Sequence, residues 1–408
     1  MPTNDINAKR DLIEFLQQRY HNNNKQMKLI QEFERTYKPD DAIRWYTGQP
    51  FLYRSLNKAL RTEDIEQLYT FRFIVSDLCK SLLREFQILK EYEPRVTLYR
   101  GARISIDEFL SYNQPKFSSN ASWNPNAIKF ADINTVGSFP WNVFVNINNT
   151  VYVTATNLHE VKVWSEGRII PTTIISNGLS SPLSLFVTIN GDIYVGNSKN
   201  GRVDMWTQNT TDSIPAMYVR SPCFSLFVDI KNTLYCSLQT LHQVIKRSLN
   251  SISNVTTIAA GNGSAGSASN MLSSPRGIFV DTKFNLYVAD CVNNRIQCFQ
   301  VRELNGKTVA GNGAPSTITL SCPSGIVLDG DGNLFIVDKD NHRIIESGEN
   351  GFRCVVGCHG KGSAPNQLSN PTSLSFDSYG NIFVTDRGNS RIQKFFLSIY
   401  SCGKYKDM

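Results

Sequence analysis

At 408 residues the chain exceeds what one ordinary hydrophobic core supports, so more than one domain is expected. With 41% hydrophobic and 19% charged residues it falls outside the disordered, collagen-like and coiled-coil classes. The net charge of +7 is spread along the chain without a dense basic run, which gives no strong nucleic-acid signal.

No apolar run reaches the roughly 18 residues of a spanning helix, so no membrane segment is expected. Met1 to Arg10 is polar and no hydrophobic signal-peptide core follows, which points to the cytoplasm. Five Asn-x-Ser/Thr sequons (Asn120, Asn148, Asn209, Asn254, Asn262) and nine cysteines point instead to an extracellular ancestry, so localisation stays open. Cys223/Cys236, Cys291/Cys298 and Cys354/Cys358 are the pairs close in sequence, and no CxxC doublets or His spacings suggest zinc.

In chain order, Leu12, Ile13, Phe15, Leu16, Tyr20, Met27, Ile30 and Phe33 recur at helical spacing, and Leu52, Leu56 and Leu60 continue the pattern. Thr62-Glu63-Asp64 supplies a cap and an acidic first turn. A longer helix is predicted over residues 68–90 through Leu78, Leu82, Phe86 and Leu89. After Pro94, Val96 to Gly101 reads as a short strand.

The stretches Trp45-Tyr46-Thr47, Phe51 to Arg54, Leu56 to Arg61 and Leu98-Tyr99-Arg100-Gly101 resemble the N-terminal half of arginine-specific mono-ADP-ribosyltransferases, over residues ~45–110. The resemblance implies that Arg100, with Tyr99 and Gly101 beside it, holds the pyrophosphate and ribose of NAD. A planar guanidinium suits two anionic oxygens. The family continues into a Ser-x-Ser strand and a later Glu-x-Glu. Here only Ser118-Ser119 follows, and Glu91-Tyr92-Glu93 precedes the strand. No catalytic residue is therefore assigned, no transferase turnover is expected, and no cofactor is expected unless this segment takes NAD. The alternative function is an NAD-dependent protein-arginine mono-ADP-ribosyltransferase.

The second half repeats itself. Residues 277–299 recur at 325–347 and 373–395, with fainter copies at 142–164, 184–206 and 225–247. Aligning them on Tyr152, Tyr194, Tyr235, Tyr287, Phe335 and Phe383 gives spacings of 42, 41, 52, 48 and 48 residues, in the range of four-stranded propeller blades. Nine residues after each of these aromatic anchors stands Val161, Val203, Val244, Ile296, Ile344 or Ile392, read as packing between blades. Pro140, Pro182, Pro222, Pro275, Pro323 and Pro371 mark strand starts, where no ladder N–H is needed.

These copies resemble NHL repeats, which build six-bladed β-propellers. The recurring Asp and Arg of that pattern are matched by Asp290/Arg295, Asp338/Arg343 and Asp386/Arg391, in part by Asn197/Arg202, and not by Ala155/Glu160 or Leu238/Gln243. They are read as a tie between turn and strand, not as catalytic groups. The sixth copy lacks an outer-strand motif, while Ala127 to Ala131 carries one, so this early strand is expected to close the ring.

The expected fold is mainly β: a six-bladed propeller over residues 118–397 closed by an N-terminal strand. An α-helical segment precedes it over residues 1–117, and a tail follows over 398–408. The five histidines (His21, His159, His242, His342, His359) are read as occupying unrelated blade positions, which argues against a metal-bearing channel. The expected function is a monomeric scaffold that binds a protein or a small ligand at one propeller face.

Overall fold

The computed structural model describes residues 3–21, 23–48, 52, 55, 56, 71, 74, 77, 78, 81, 115–117, 121–198, 201–207, 210, 212–251, 253–314, 318–348 and 351–398. Arg100, Tyr99, Gly101, Glu91 to Glu93 and Ser118-Ser119 lie outside the described residues. The chain divides into two compact units, Met1–Arg103 and Ile104–Met408.

In the first unit, helix α1 (Thr3–Tyr20) and helix α2 (Asn24–Thr36) pack through the apolar positions spaced for helix, and α3 spans Ala42–Gly48. Asn23 starts α2 by accepting the Gln26 backbone N–H on its side-chain oxygen, which satisfies a donor the helix end leaves open. Leu12, Leu16, Ile30 and Phe33 are fully buried, and Trp45 meets Phe33 edge to face at 5.0 Å. Leu52, Leu56, Ile74 and Leu78 join this core, while Leu60, Leu82, Phe86 and Leu89 lie outside the described residues.

The second unit is a ring of six four-stranded antiparallel sheets. Blades 1 to 5 cover residues 143–175, 182–218, 223–260, 275–311 and 323–356. In each sequence copy the alternation of small-branched and aromatic residues gives a hairpin with one face to each neighbouring blade. The turn inside the hairpin is set by an aspartate in blades 3 to 6, by Asn146 in blade 1 and by Thr188 in blade 2; in blade 4, Asp281 accepts the N–H groups of Lys283 and Asn285 and the Asn285 amide. All six aromatic anchors lie in second strands, each opposite the same first-strand position: Phe144, Phe186, Phe227, Phe279, Val327 or Ser375. The six branched residues nine positions later are all fully buried.

First strands of neighbouring blades pack against one another all the way round, so they line the axis. Closure occurs in blade 6. There Ile128–Ala131 pairs antiparallel with Arg391–Phe395, with Ile128 opposite Lys394 and Ala131 opposite Ile392. Phe130 wedges between Trp164 of blade 1 and Phe383 of blade 6, at 5.4 and 5.2 Å. Ser122–Trp123 pairs with Leu397–Ser398, and Trp123 donates its indole N–H to the Gly380 carbonyl. Phe117 also packs on the ring, against Trp123, Phe335 and Phe376, and the Gly330 N–H bonds the Pro115 carbonyl.

Two sequence-adjacent cysteine pairs are disulfides, Cys223–Cys236 and Cys354–Cys358. The third differs, because Cys291 bonds Cys322 and Cys298 stays a free thiol. Cys291 begins the turn after the second strand of blade 4, and Cys322 directly precedes the first strand of blade 5. The two therefore meet across the blade boundary, while Cys298 sits inside the third strand beside Tyr287. Asn148, Asn254 and Asn262 are exposed, and no helix among the described residues is long and apolar enough to cross a membrane.

Candidate functional site

The repeated charges come first, because they are the only ionisable pairs the sequence pattern singles out. Arg295 Nε bonds Asp290 Oδ2 at 2.7 Å, and its other nitrogens reach the carbonyls of Ser267, Ala268 and Met271. Asp290 also accepts the Ser273 backbone N–H and the Asn293 amide. Burial raises the Asp290 and Asp386 carboxyls above the ordinary range, and these bonds act against it. Asp386/Arg391 repeats the arrangement and Asp338/Arg343 repeats most of it. In blade 2 the partner shifts, and Arg202 pairs with Asp204 at 2.7 Å. In Asp290, Asp338 and Asp386 both carboxylate oxygens hold turns, which is a structural use of the charge, whereas Asp204 Oδ1 accepts no hydrogen bond.

The histidines need a correction. His159, His242 and His342 all stand seven residues after their anchors, so three of the five share one blade position. Each has a left-handed backbone and accepts, at Nδ1, the N–H of the residue that leads into the next blade: Ser181, Ser274 and Asn370, at 3.0–3.1 Å. Asn294 bonds Cys322 in the same way, and Ser390 bonds Phe139 to close the circle. Between blades 2 and 3 the latch is missing for matched reasons, since Gly201 offers no acceptor and Pro222 no N–H. Counting from the aromatic anchors would have revealed this set. No group of three or more metal-ligating side chains occurs among the described residues.

His342 is held below its ordinary value of 6.5, first by burial and next by the Lys361 charge. A depressed histidine contributes stability that is present above the unfolded value and is lost as pH falls through the folded one. Thermal melts should therefore show stability declining below about pH 6.5, with part of the decline absent in His342→Asn. That variant keeps an acceptor, as Asn294 does in blade 5's latch. An identical pH profile in both proteins would refute the assignment.

On the same face of the ring, the residue eleven positions before each anchor lies at the entry to the axial strand: Leu183, Phe224, Arg276 and Ser324 within it, and Trp141 and Thr372 two residues before it. Trp141 of blade 1 reaches Phe224 of blade 3, ring to ring, at 5.4 Å. Arg276 of blade 4 lies 5.9 Å from the Trp141 ring, although blades 1 and 4 are opposite in the ring. Arg387, which opens the turn after the second strand of blade 6, lies between two rings, 4.8 Å from Trp141 and 4.9 Å from Phe139. Thr372 Oγ1 fixes the strand below by bonding the Trp141 carbonyl at 2.6 Å. These four blades thus converge on the axis and form an aromatic and cationic mouth.

Burial lowers both guanidinium groups from their ordinary value. For Arg276 the Asp340 charge opposes that shift and the Arg387 charge adds to it. Nε and Nη1 of Arg276 and Nε of Arg387 are buried without a hydrogen-bond partner. Sequence reading did not find this mouth, because its residues share a repeat position but not a residue type.

A second concavity of about 350 Å³ lies on the opposite face between blades 2 and 3, lined by Asp192, Tyr194, Met205, Pro215, Arg247 and Leu249. Burial pushes the Tyr194 phenol up to about 12, and the Arg247 guanidinium donates to the Ala216 carbonyl.

The NHL repeat family matches residues 320–345 and 368–395, which lie in blades 5 and 6. No curated protein matches the chain. Among solved structures, a protein of unknown function from Bacteroides thetaiotaomicron is similar at 15% identity with a TM-score of 0.55, over 67% of this chain and 76% of that one. Auxiliary nutrient binding proteins from Bacteroides thetaiotaomicron and Bacteroides ovatus are similar at 15% and 13% identity, with TM-scores of 0.52 and 0.51. They match over 70% of this chain and 75% and 76% of theirs. At such identities the likeness is one of fold. The chain carries NHL repeats, folded as one closed six-bladed β-propeller.

Proposed function

We propose that this protein is a binding scaffold, with the rigid ring presenting the axial mouth to a protein or small ligand and doing no chemistry itself. One observation carries the reading: side chains from blades 1, 3, 4 and 6 meet at Trp141. Ring contacts across an axis position a recognition surface, and the repeated Asp290, Asp338 and Asp386 carboxylates serve as ties within their blades. Two of the similar structures are nutrient binding proteins, which agrees with binding, although a shared fold does not fix a ligand.

A photo-reactive amino acid placed at Phe139, on the mouth face, is expected to cross-link to the partner. The same group at Ile189, in a hairpin turn on the opposite face, should not. Equal labelling at both would overturn the choice of face.

The segment over residues ~45–110 is proposed to be a partial ADP-ribosyltransferase domain without turnover, with Arg100, Tyr99 and Gly101 as its NAD contacts. Transfer passes through an oxocarbenium-like state that needs a placed carboxylate, and loss of such a charge-stabilising group commonly costs about 10²–10³ in rate. The full chain incubated with labelled NAD and an arginine-rich acceptor should show neither modification nor NAD hydrolysis above background. Modification that Arg100→Ala abolishes would establish the alternative, an active NAD-dependent transferase.

A further inference from the structure

We propose that the axial mouth is an oxyanion site, at which Arg276 and Arg387 receive a carboxylate or phosphoryl group of the ligand beside the Trp141 ring. This rests on the scaffold reading above and gives it a ligand chemistry.

The inference starts from how this protein treats its other arginines. Arg295 and Arg391 each bond an aspartate and three backbone carbonyls, so their guanidinium forks are fully engaged. Arg276 and Arg387 are half-buried, yet three of their N–H-bearing nitrogens are shielded from water and have no partner. An unsatisfied buried donor typically costs about 1–3 kcal/mol, more for a charged group. Two such groups are also brought within each other's field. Stacking on Trp141 and Phe139 offsets part of this cost but leaves the donors unpaired.

The surrounding charges do not neutralise it. Asp340 is the carboxylate near Arg276, and its own side chain is paired with Lys339. Three cations therefore face one carboxylate, leaving an excess of two positive charges. The rings that hold Arg387 are neutral. Phe139 and Trp141 present π faces to the guanidinium, fixing its position without supplying an anion. A ligand with planar or tetrahedral oxygens supplies acceptors for these donors, in the geometry an arginine fork matches with two parallel hydrogen bonds. The low-dielectric setting, with Trp141 and Phe224 across the axis, strengthens such a bond relative to one made in open solvent.

Titration calorimetry on the full chain at low salt tests this, using inorganic phosphate, sulfate and a short acetylated tetraglutamate peptide as three separate probes. Saturable binding is expected for at least one, weakened at least about tenfold by Arg276→Met and by Arg387→Met and reduced by added salt. Binding of all three marks a general oxyanion site. Binding of the peptide alone marks a carboxylate source, and of phosphate alone a phosphoryl source. Quenching of Trp141 fluorescence, absent in Trp141→Phe, should accompany binding. Should Arg276→Met fail to fold, Arg276→Lys keeps the charge, loses the fork and still predicts weaker binding. No saturable binding by any probe, or affinity unchanged in both Met variants, overturns the proposal. Persistent cross-linking from Phe139 in that case would leave the scaffold reading standing, whereas loss of cross-linking with intact anion binding would remove only the scaffold.

Discussion

Replacing Arg295 by methionine is expected to destabilise the ring by about 3–5 kcal/mol, the usual cost of leaving a buried charge without its partner. For a domain of this size that is a fall of roughly 10 °C in Tm. The mechanism is specific. Asp290 is fully buried and would retain the Ser273 and Asn293 bonds but lose its only cation, while three carbonyls of the preceding loop lose their donor. Arg343→Met should cost less, because Arg343 is more exposed and reaches only the Thr319 carbonyl besides its aspartate. The Arg295→Met deficit should also shrink at acid pH. Burial already raises Asp290, so without its partner the carboxyl takes up a proton more readily, and the penalty grows as pH rises. Calorimetric melts at pH 5 and pH 7.5 would check both the ranking and the sign. Equal losses in the two variants would contradict it.

Deleting residues 121–132 is expected to be more damaging still, above about 5 kcal/mol when the lost aromatic packing alone is counted. Three things go together. Arg391–Phe395 becomes an open sheet edge, Phe130 leaves the seam between Trp164 and Phe383, and Trp123 leaves its cluster with Phe117 and Phe335. An exposed, regular edge is a template for pairing with another chain. Light scattering after gel filtration should therefore find larger species than the intact chain forms. A deletion variant with the size and Tm of the intact chain would show that the ring does not depend on this strand.

The fold could be read from the sequence because each blade carries its positional marks at fixed offsets. A branched residue nine places after an aromatic, and a proline about twelve before it, are enough to set strand order and register. Closure was legible too, since one outer-strand motif was missing at the end and one was spare at the start. The latch histidines are equally regular but harder to read, because residue type at that position varies: Asn294 and Ser390 make the same bond in two blades, and Gly201 stands there in a third. The mouth could not have been read this way. Trp141, Phe224 and Arg276 matter because opposite blades bring them within reach, and that proximity exists only after the ring has closed. The Cys291–Cys322 link belongs to the same class, set by a blade boundary and not by spacing. Arg100, Tyr99 and Gly101 rest on resemblance alone.

The closing pair also has a consequence for synthesis. Ile128–Ala131 is made early, and its partner Arg391–Phe395 is among the last parts of the ring to leave the ribosome. At typical rates of about 5–20 residues per second, the early strand waits roughly 15–50 s for its partner. Blades 1 to 5 can form hairpin by hairpin during that interval from neighbouring segments, whereas blade 6 cannot be completed until the end. During that wait on a crowded polysome, the strand of one nascent chain can pair with the finished last blade of another. The polar turn before it and the charge of the exposed Lys129 limit how attractive a target it presents.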